Sequence, residues 1–210
     1  MALFTLENIN YKDIVTYPYI EIPKDRTTFI CGESGSGKST LLKLLNGVIS
    51  PTGGRIAYLN KNIEDYDPIE LRREVRLVSQ SVYLFDMSIK ENFNEYYAYQ
   101  DLKTIDEETM KDYLDICHVD LPLDSMCGTI SGGERQRVFI AINLSFSSKV
   151  LMLDEPTSAL DDKNANALME NIKLFCRQKE RTLLVVSHNR AIADKYADTI
   201  IELPGGKKYE

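Results

Sequence analysis

Apolar and polar positions alternate in LFTLENIN and again in YIEIP, the period-two pattern of half-buried strands, and the TYP triplet between them reads as a turn. RTTFICG is a β-rich run that feeds a glycine-rich stretch. The spacing then switches: STLLKLLNGV carries its leucines at helical intervals and is expected to stop near Gly47. SPTGG is expected as a turn, RIAYLN as a strand, and EVRLVSQ as a strand ending on the polar Gln80. KVLMLDE and RTLLVVSH are apolar on consecutive positions and read as buried strands. ISGGERQRVFIAINLS reads as a helix. Ala165, Leu168, Ile172 and Phe175 lie at helical spacing within a second one, from Asp162 to Lys179. TIIELPGG closes the chain.

Strands alternating with helices imply a mostly parallel sheet, whose ligand site lies beyond the C-terminal strand ends. One segment departs from that rhythm. From Ser81 to about Cys127 the chain is aromatic and acidic, with a helical pattern in DEETMKDYLDICHV. It reads as a small helical lobe, inserted in the core over about 81–140 when the next helix is included. No repeat, low-complexity tract or long linker interrupts the 210 residues, a length that suits one α/β domain.

Composition narrows the function classes. Hydrophobic residues make up 43%, enough for a sizeable core. A net charge of −7 counts against a broad nucleic-acid surface, so no nucleic-acid partner is expected. Four scattered cysteines without a CxxC pair, beside only two histidines, give no zinc pattern and fit a reducing compartment. MALFTLENINYKD lacks the basic and apolar regions of a signal peptide, and no apolar run approaches the ~20 residues of a membrane span. A cytoplasmic location is expected, with any membrane role arriving through a partner.

Three short motifs carry the chemistry. Gly32-x4-Gly37-Lys38-Ser39 matches a phosphate-binding loop, whose glycines let backbone N–H groups turn inward and whose following helix adds its positive dipole end. The candidate phosphate contacts are Gly32, Glu33, Ser34, Gly35, Ser36, Gly37, Lys38, Ser39 and Thr40. Lys38 would reach the β- and γ-phosphates, and the Ser39 hydroxyl would bind Mg2+. In VLMLDE, apolar residues bury a strand and two carboxylates emerge at its end: Asp154 for Mg2+, Glu155 to polarise an attacking water. Ser131-Gly132-Gly133-Glu134 opens a helix as a capping box. Two glycines in a first turn weaken a helix, a cost that makes sense where backbone must approach a γ-phosphate.

The ordered set GESGSGKST, Gln80, ISGGERQR, VLMLDE, SALD and His188 resembles the nucleotide-binding domain of ABC transporters, over essentially the whole chain. The resemblance implies one α/β domain over residues 1–210. Its parts are a RecA-like P-loop core with a mostly parallel sheet, an antiparallel β subdomain and a small α-helical subdomain. It implies ATP and Mg2+ as cofactors, and a homodimer that sandwiches two ATP head to tail. Lys38 and Ser39 of one copy then face Ser131, Gly132 and Gly133 of the other. Gln80 is implied to sense Mg2+ and the lytic water, His188 to contact the γ-phosphate, and Ser158 to Asp161 to cross the dimer interface. An aromatic ahead of the loop stacks on adenine; Tyr11 is the candidate, with Phe4, Tyr17 and Tyr19 as rivals. The signature departs from the family's LSGGQ, since Ile130 and Glu134 replace its outer residues.

SVYLFDMSIKENFNEYYAYQ holds six aromatics, Tyr83, Phe85, Phe93, Tyr96, Tyr97 and Tyr99, to be divided between the lobe's own core and an interface. In the family this region helps receive a coupling helix from the membrane subunit. The resemblance implies an ATPase subunit bound to a separate ABC transporter membrane subunit, peripheral on the cytoplasmic face of the plasma membrane. A narrower likeness is to the compact YbbL/FetA-type subunits linked to metal-ion export. The alternative class is a non-transport ATPase, of the SufC type in Fe–S assembly or the FtsE type in cell division.

Overall fold

The computed structural model of the protein describes residues 1–204; Gly205 and Gly206 of the closing TIIELPGG run lie outside the described residues. Strands β1 (Ala2–Tyr11), β2 (Val15–Tyr17), β3 (Ile20–Pro23) and β4 (Thr27–Cys31) open the chain. Helix α1 (Lys38–Leu45) precedes β5 (Gly53–Tyr58), β6 (Lys61–Asn62), α2 (Pro68–Glu74) and β7 (Val75–Val78). Helices α3 (Ile89–Ala98), α4 (Glu107–Ile116) and α5 (Gly132–Leu144) lead to β8 (Val150–Asp154). Then come α6 (Asp162–Gln178), β9 (Thr182–Val186), α7 (Arg190–Tyr196) and β10 (Thr199–Glu202).

Two sheets form. One is antiparallel, in the order β2-β1-β5-β6, with β3 also paired to β1. The other is fully parallel, in the order β10-β4-β9-β8-β7. Its three central strands, β4, β9 and β8, are buried at every position, as expected of parallel strands covered on both faces. Alternation decides which core each residue joins. Phe29, Leu151, Leu153, Leu183 and Val185 face a core shared with α3 to α7. Ile30, Val150, Met152, Leu184 and Val186 face a second core, with α1 and the antiparallel sheet. The aromatic insertion therefore packs into one continuous apolar cluster with the parallel sheet, through Phe93, Met110 and Leu114.

Two turns differ from the sequence reading. Thr16 and Tyr17 of the TYP triplet are paired in β2, and the chain reverses earlier, at Lys12 and Asp13, both with positive φ. Asn10 and Asp13 hold that reversal by two side-chain bonds, Asn10 Nδ2 to Asp13 Oδ1 at 2.9 Å and Asp13 N to Asn10 Oδ1 at 3.0 Å. Gly53 and Gly54 of SPTGG belong to β5, against the irregular part of β1. A Cβ on Gly54 would sit 2.4 Å from the Asn8 carbonyl oxygen, so glycine here permits close strand approach. Strand β7 stops at Val78, so Ser79 and Gln80 continue beyond the sheet.

Candidate functional site

All five parallel strands run the same way, so their C-terminal ends meet on one edge. The glycine loop leaves β4 there, Gln80 follows β7, Asp154 and Glu155 end β8, and His188 follows β9. Between them lies a cleft of about 390 Å3, lined by Ser34, Gly35, Gly37, Lys38, Ser39, Thr40, Gln80, Glu155, Val186 and His188. Gly32, Glu33, Ser36 and Asp154 are not among the lining residues; Ser36 and Asp154 are buried and Glu33 is exposed.

Lys38, buried at the start of α1, points its Nζ back into the loop and donates to the carbonyls of Gly32 and Glu33, each at 2.8 Å. The cation is therefore held over the loop mouth by neutral oxygens. Gly37 caps α1 with φ 92°, in the left-handed region. A Cβ there would lie 2.7 Å from both the Tyr17 hydroxyl and Val15 Cγ2, so only glycine fits. Tyr17 explains the crowding: its hydroxyl donates to the Gly37 carbonyl at 2.7 Å and ties the loop to β2. Burial pushes the Tyr17 phenol well above its ordinary range, so it stays a neutral donor.

Ser39 Oγ donates to Asp154 Oδ1 at 3.1 Å, bringing the first helical turn of the loop onto the end of β8. The next residue, Glu155, has φ 52°, a costly conformation for a non-glycine residue. Four bonds over-determine it. Its N–H donates to the Val186 carbonyl at 3.0 Å, and its own carbonyl accepts from Ser158 N, Ser158 Oγ and Gln136 Nε2. The strained backbone aims a nearly buried carboxylate at the cleft, where Glu155 Oε2 lies 2.8 Å from Nδ1 of the exposed His188. A hydroxyl, two carboxylates, a carboxamide and an imidazole thus meet beside a glycine-rich loop and a lysine. That set can hold a polyphosphate, supply oxygen ligands to a small hard cation, and accept a proton from water.

Two residues of this arrangement went unassigned in the sequence reading. Tyr17 was weighed only as an adenine stacker, a use its burial precludes, since it is 2% exposed. Gln136 carries no motif of its own; its position five residues after Ser131, on the buried side of α5, is the signal that could have found it. Ser131, Gly132 and Gly133 do not line the cleft. Ser131 caps α5, with its hydroxyl and N–H donating to Glu134 Oε2 at 2.6 and 2.8 Å. A Cβ on Gly132 would meet nothing within 4 Å. Tyr11 ends β1 beside the Lys12 turn, partly buried and outside the lining; of its rivals, Phe4 is fully buried and Tyr19 is exposed.

The ABC transporter family model matches residues 18–158, a span that contains the glycine loop, the Ser131 cap and both carboxylates. The chain belongs to the ABC transporter family. Within that family, the phosphate import ATP-binding protein PstB of Saccharolobus solfataricus is 35% identical, over 96% of this chain and 83% of its own length. The ATP-dependent lipid A-core flippase of Vibrio parahaemolyticus is 34% identical over 93% of this chain, which spans only 34% of the flippase's length. A solved bacterial Atm1-family ABC exporter with ATP bound is similar, with a TM-score of 0.85 and 26% identity, over 95% of this chain and 37% of the exporter chain. Relatives named for phosphate import and as a lipid A-core flippase are thus both similar to this chain.

Proposed function

We propose that the chain is the ATP-hydrolysing subunit of an ABC transporter. On this reading residues 1–210 form one ATPase domain with a helical lobe over about 81–140. Two copies close head to tail around two Mg-ATP and drive a membrane subunit from the cytoplasmic face. The observation that carries the reading is the convergence of Lys38, Ser39, Gln80, Asp154, Glu155 and His188 on one cleft. Among the described residues no helix is long and apolar enough to cross a membrane.

On this reading each residue of the cleft takes a role that its position supports. Loop amides from Ser34 to Thr40 cradle the phosphates, and Lys38 exchanges its two carbonyl partners for phosphate oxygens. Ser39 Oγ and Asp154 Oδ1, both oxygen donors and 3.1 Å apart, fit Mg2+, with the Gln80 carboxamide as a third donor. Bound there, the ion would offset charge on the phosphates. Glu155 takes the proton of the attacking water, and His188 holds the Glu155 carboxylate in position beside the γ-phosphate. On this reading Tyr11, at the end of β1, stacks on the adenine. On this reading Ser131, Gly132 and Gly133, which stand outside their own copy's cleft, serve the γ-phosphate held by the second copy.

Steady-state phosphate release with Mg-ATP tests the reading. Glu155→Gln should lower turnover about a hundredfold or more, within the range of general-base contributions, while ATP affinity holds. Full turnover in that variant would show that another group handles the water.

A further inference from the structure

Gln136 is the fifth residue of α5 and is buried, 5% exposed. Its Nε2 donates to the Glu155 carbonyl at 3.0 Å. The other two donors to that carbonyl, Ser158 N and Ser158 Oγ, lie at 3.3 and 3.1 Å and belong to the turn that follows Glu155 itself. Of the three, Gln136 is the one supplied by a different element, and its bond is the shortest. It falls on a residue whose backbone is strained, since Glu155 has φ 52°. A carbonyl gripped from outside the turn fixes the peptide plane, and with it the direction in which the carboxylate leaves the chain.

The other end of the same carboxamide shows that packing does not account for the residue. Gln136 Oε1 is fully enclosed and has no donor. The side chain lines a closed space with Ser79, Phe139, Ile140 and Asp154 that has no room for a water molecule. An enclosed acceptor without a donor costs stability, on the order of what one ordinary hydrogen bond returns. A side chain that merely filled this space would serve folding better without polar atoms. What the glutamine adds is its grip on Glu155.

Helix α5 joins that grip to the Ser131 turn. Its 13 residues run unbroken from Gly132 to Leu144, and Gln136 lies about 7.5 Å of helical rise beyond Ser131. A second contact ties the same turn to the segment after Glu155: a Cβ on Gly133 would lie 3.2 Å from Leu160 Cδ2 and 3.3 Å from the Ala159 carbonyl oxygen. A displacement of the Ser131 turn therefore reaches both Glu155 and the residues that follow it. We propose that Gln136 is a positioning residue for Glu155, through which contact at the Ser131 turn sets the carboxylate that serves the chain's own nucleotide. Hydrolysis in each copy then depends on the phosphate held by the other. That the Ser131 turn meets a second copy rests on the reading above; the grip of Gln136 on Glu155 does not.

The test is Gln136→Met in the full chain, which keeps the length and bulk of the side chain and loses the donor. Steady-state turnover of Mg-ATP should fall about ten- to a hundredfold, the scale set by misplacing a reacting group by up to an ångström. The ATP concentration for half-maximal pairing, read by light scattering, should stay within about twofold, because Gln136 does not line the phosphate cleft. The melting temperature should move by less than about 4 °C, since the lost bond is offset by the removed orphan acceptor. Proton NMR of the nucleotide-free chain gives a readout that needs no ATP. Glu155 Oε2 lies 2.8 Å from His188 Nδ1, so the His188 ring resonances should shift in the variant while those of His118, the other of the two histidines, stay. Gln136→Leu, a second way of removing the donor, should behave alike. Full turnover in both variants, or unmoved His188 resonances, overturns the proposal. So does joint loss of pairing and turnover with a melting temperature lower by more than about 10 °C, which would make Gln136 a structural residue only. A parent chain that neither pairs nor turns over ATP would remove the transporter reading, and the His188 resonances would still decide whether Gln136 sets Glu155.

Discussion

At the scale of single residues, the site depends on a few side chains that hold backbone rather than touch a ligand. Tyr17 is one: its hydroxyl satisfies the carbonyl of Gly37, whose φ of 92° no other residue would adopt without cost. Tyr17→Phe should lose about 1 kcal/mol of stability, seen as a melting temperature lower by about 2–4 °C, and should loosen nucleotide binding with it. An unchanged melting temperature would mean that water replaces the hydroxyl at no cost. Glu134 is another. The Ser131 hydroxyl, and then the Ser131 N–H, hold its carboxyl below the ordinary carboxylate range, so it is an anion at neutral pH. It stands at the helix end that, on the proposed reading, meets the partner copy's γ-phosphate. Glu134→Gln keeps the capping box but removes the charge. The ATP concentration for half-maximal dimer closure should then fall a few-fold at low salt and change less at high salt. Light scattering across an ATP series measures this, and identical curves would show that the phosphate does not feel the charge.

At the scale of elements, helix α5 joins three functions. Its first turn is the exposed Ser131 cap, its buried face packs beneath the parallel sheet, and Gln136 between them grips the Glu155 carbonyl. Gly132 is not demanded by the chain's own packing, because a Cβ there would enter open space, whereas a Cβ on Gly133 would lie 3.2 Å from Leu160 Cδ2 and 3.3 Å from the Ala159 carbonyl oxygen. Gly132→Ala should therefore leave urea stability unchanged or slightly raised, since alanine suits a helix better. ATP-driven pairing and turnover should nonetheless fall sharply. If activity survives, glycine at that position serves neither packing nor a second copy. The aromatic insertion divides in a similar way. Phe93 and Tyr97 on α3 are core, whereas Tyr83 and Tyr99 are mostly exposed. Phe85 stacks on Tyr99 and meets Tyr83 edge-on, forming an aromatic ridge.

At the scale of the whole molecule, the two sheets meet across the core that contains α1, so the glycine loop is anchored on both sides: β4 of the parallel sheet before it, β2 of the antiparallel sheet through Tyr17. Ligand binding to such a loop should stabilise the entire fold. Saturating Mg-ATP, at about a hundred times its dissociation constant, should add ~2.7 kcal/mol and raise the melting temperature of the Glu155→Gln variant by about 5–10 °C. Calorimetry with and without nucleotide reads this directly. A shift that vanishes in Lys38→Ala ties it to the loop, and one that persists would place the nucleotide elsewhere.

Much of the site was legible in the sequence because its chemistry sits in contiguous motifs. A phosphate loop needs glycines and a lysine at fixed spacing, and a buried parallel strand needs an unbroken apolar run before its carboxylates. Strand and helix periods placed those motifs at strand ends. The tertiary structure alone decided what depends on residues distant in the chain. Tyr17 reaches Gly37 across 20 positions, Gln136 reaches Glu155 across 19, and His188 reaches Glu155 across 33. It also decided the TYP and SPTGG segments, because pairing with β1 overrode local turn preference. Local composition reports what a residue can do. Which groups come within 3 Å of it is settled by how the sheets pair and pack, and no short window of sequence contains that information.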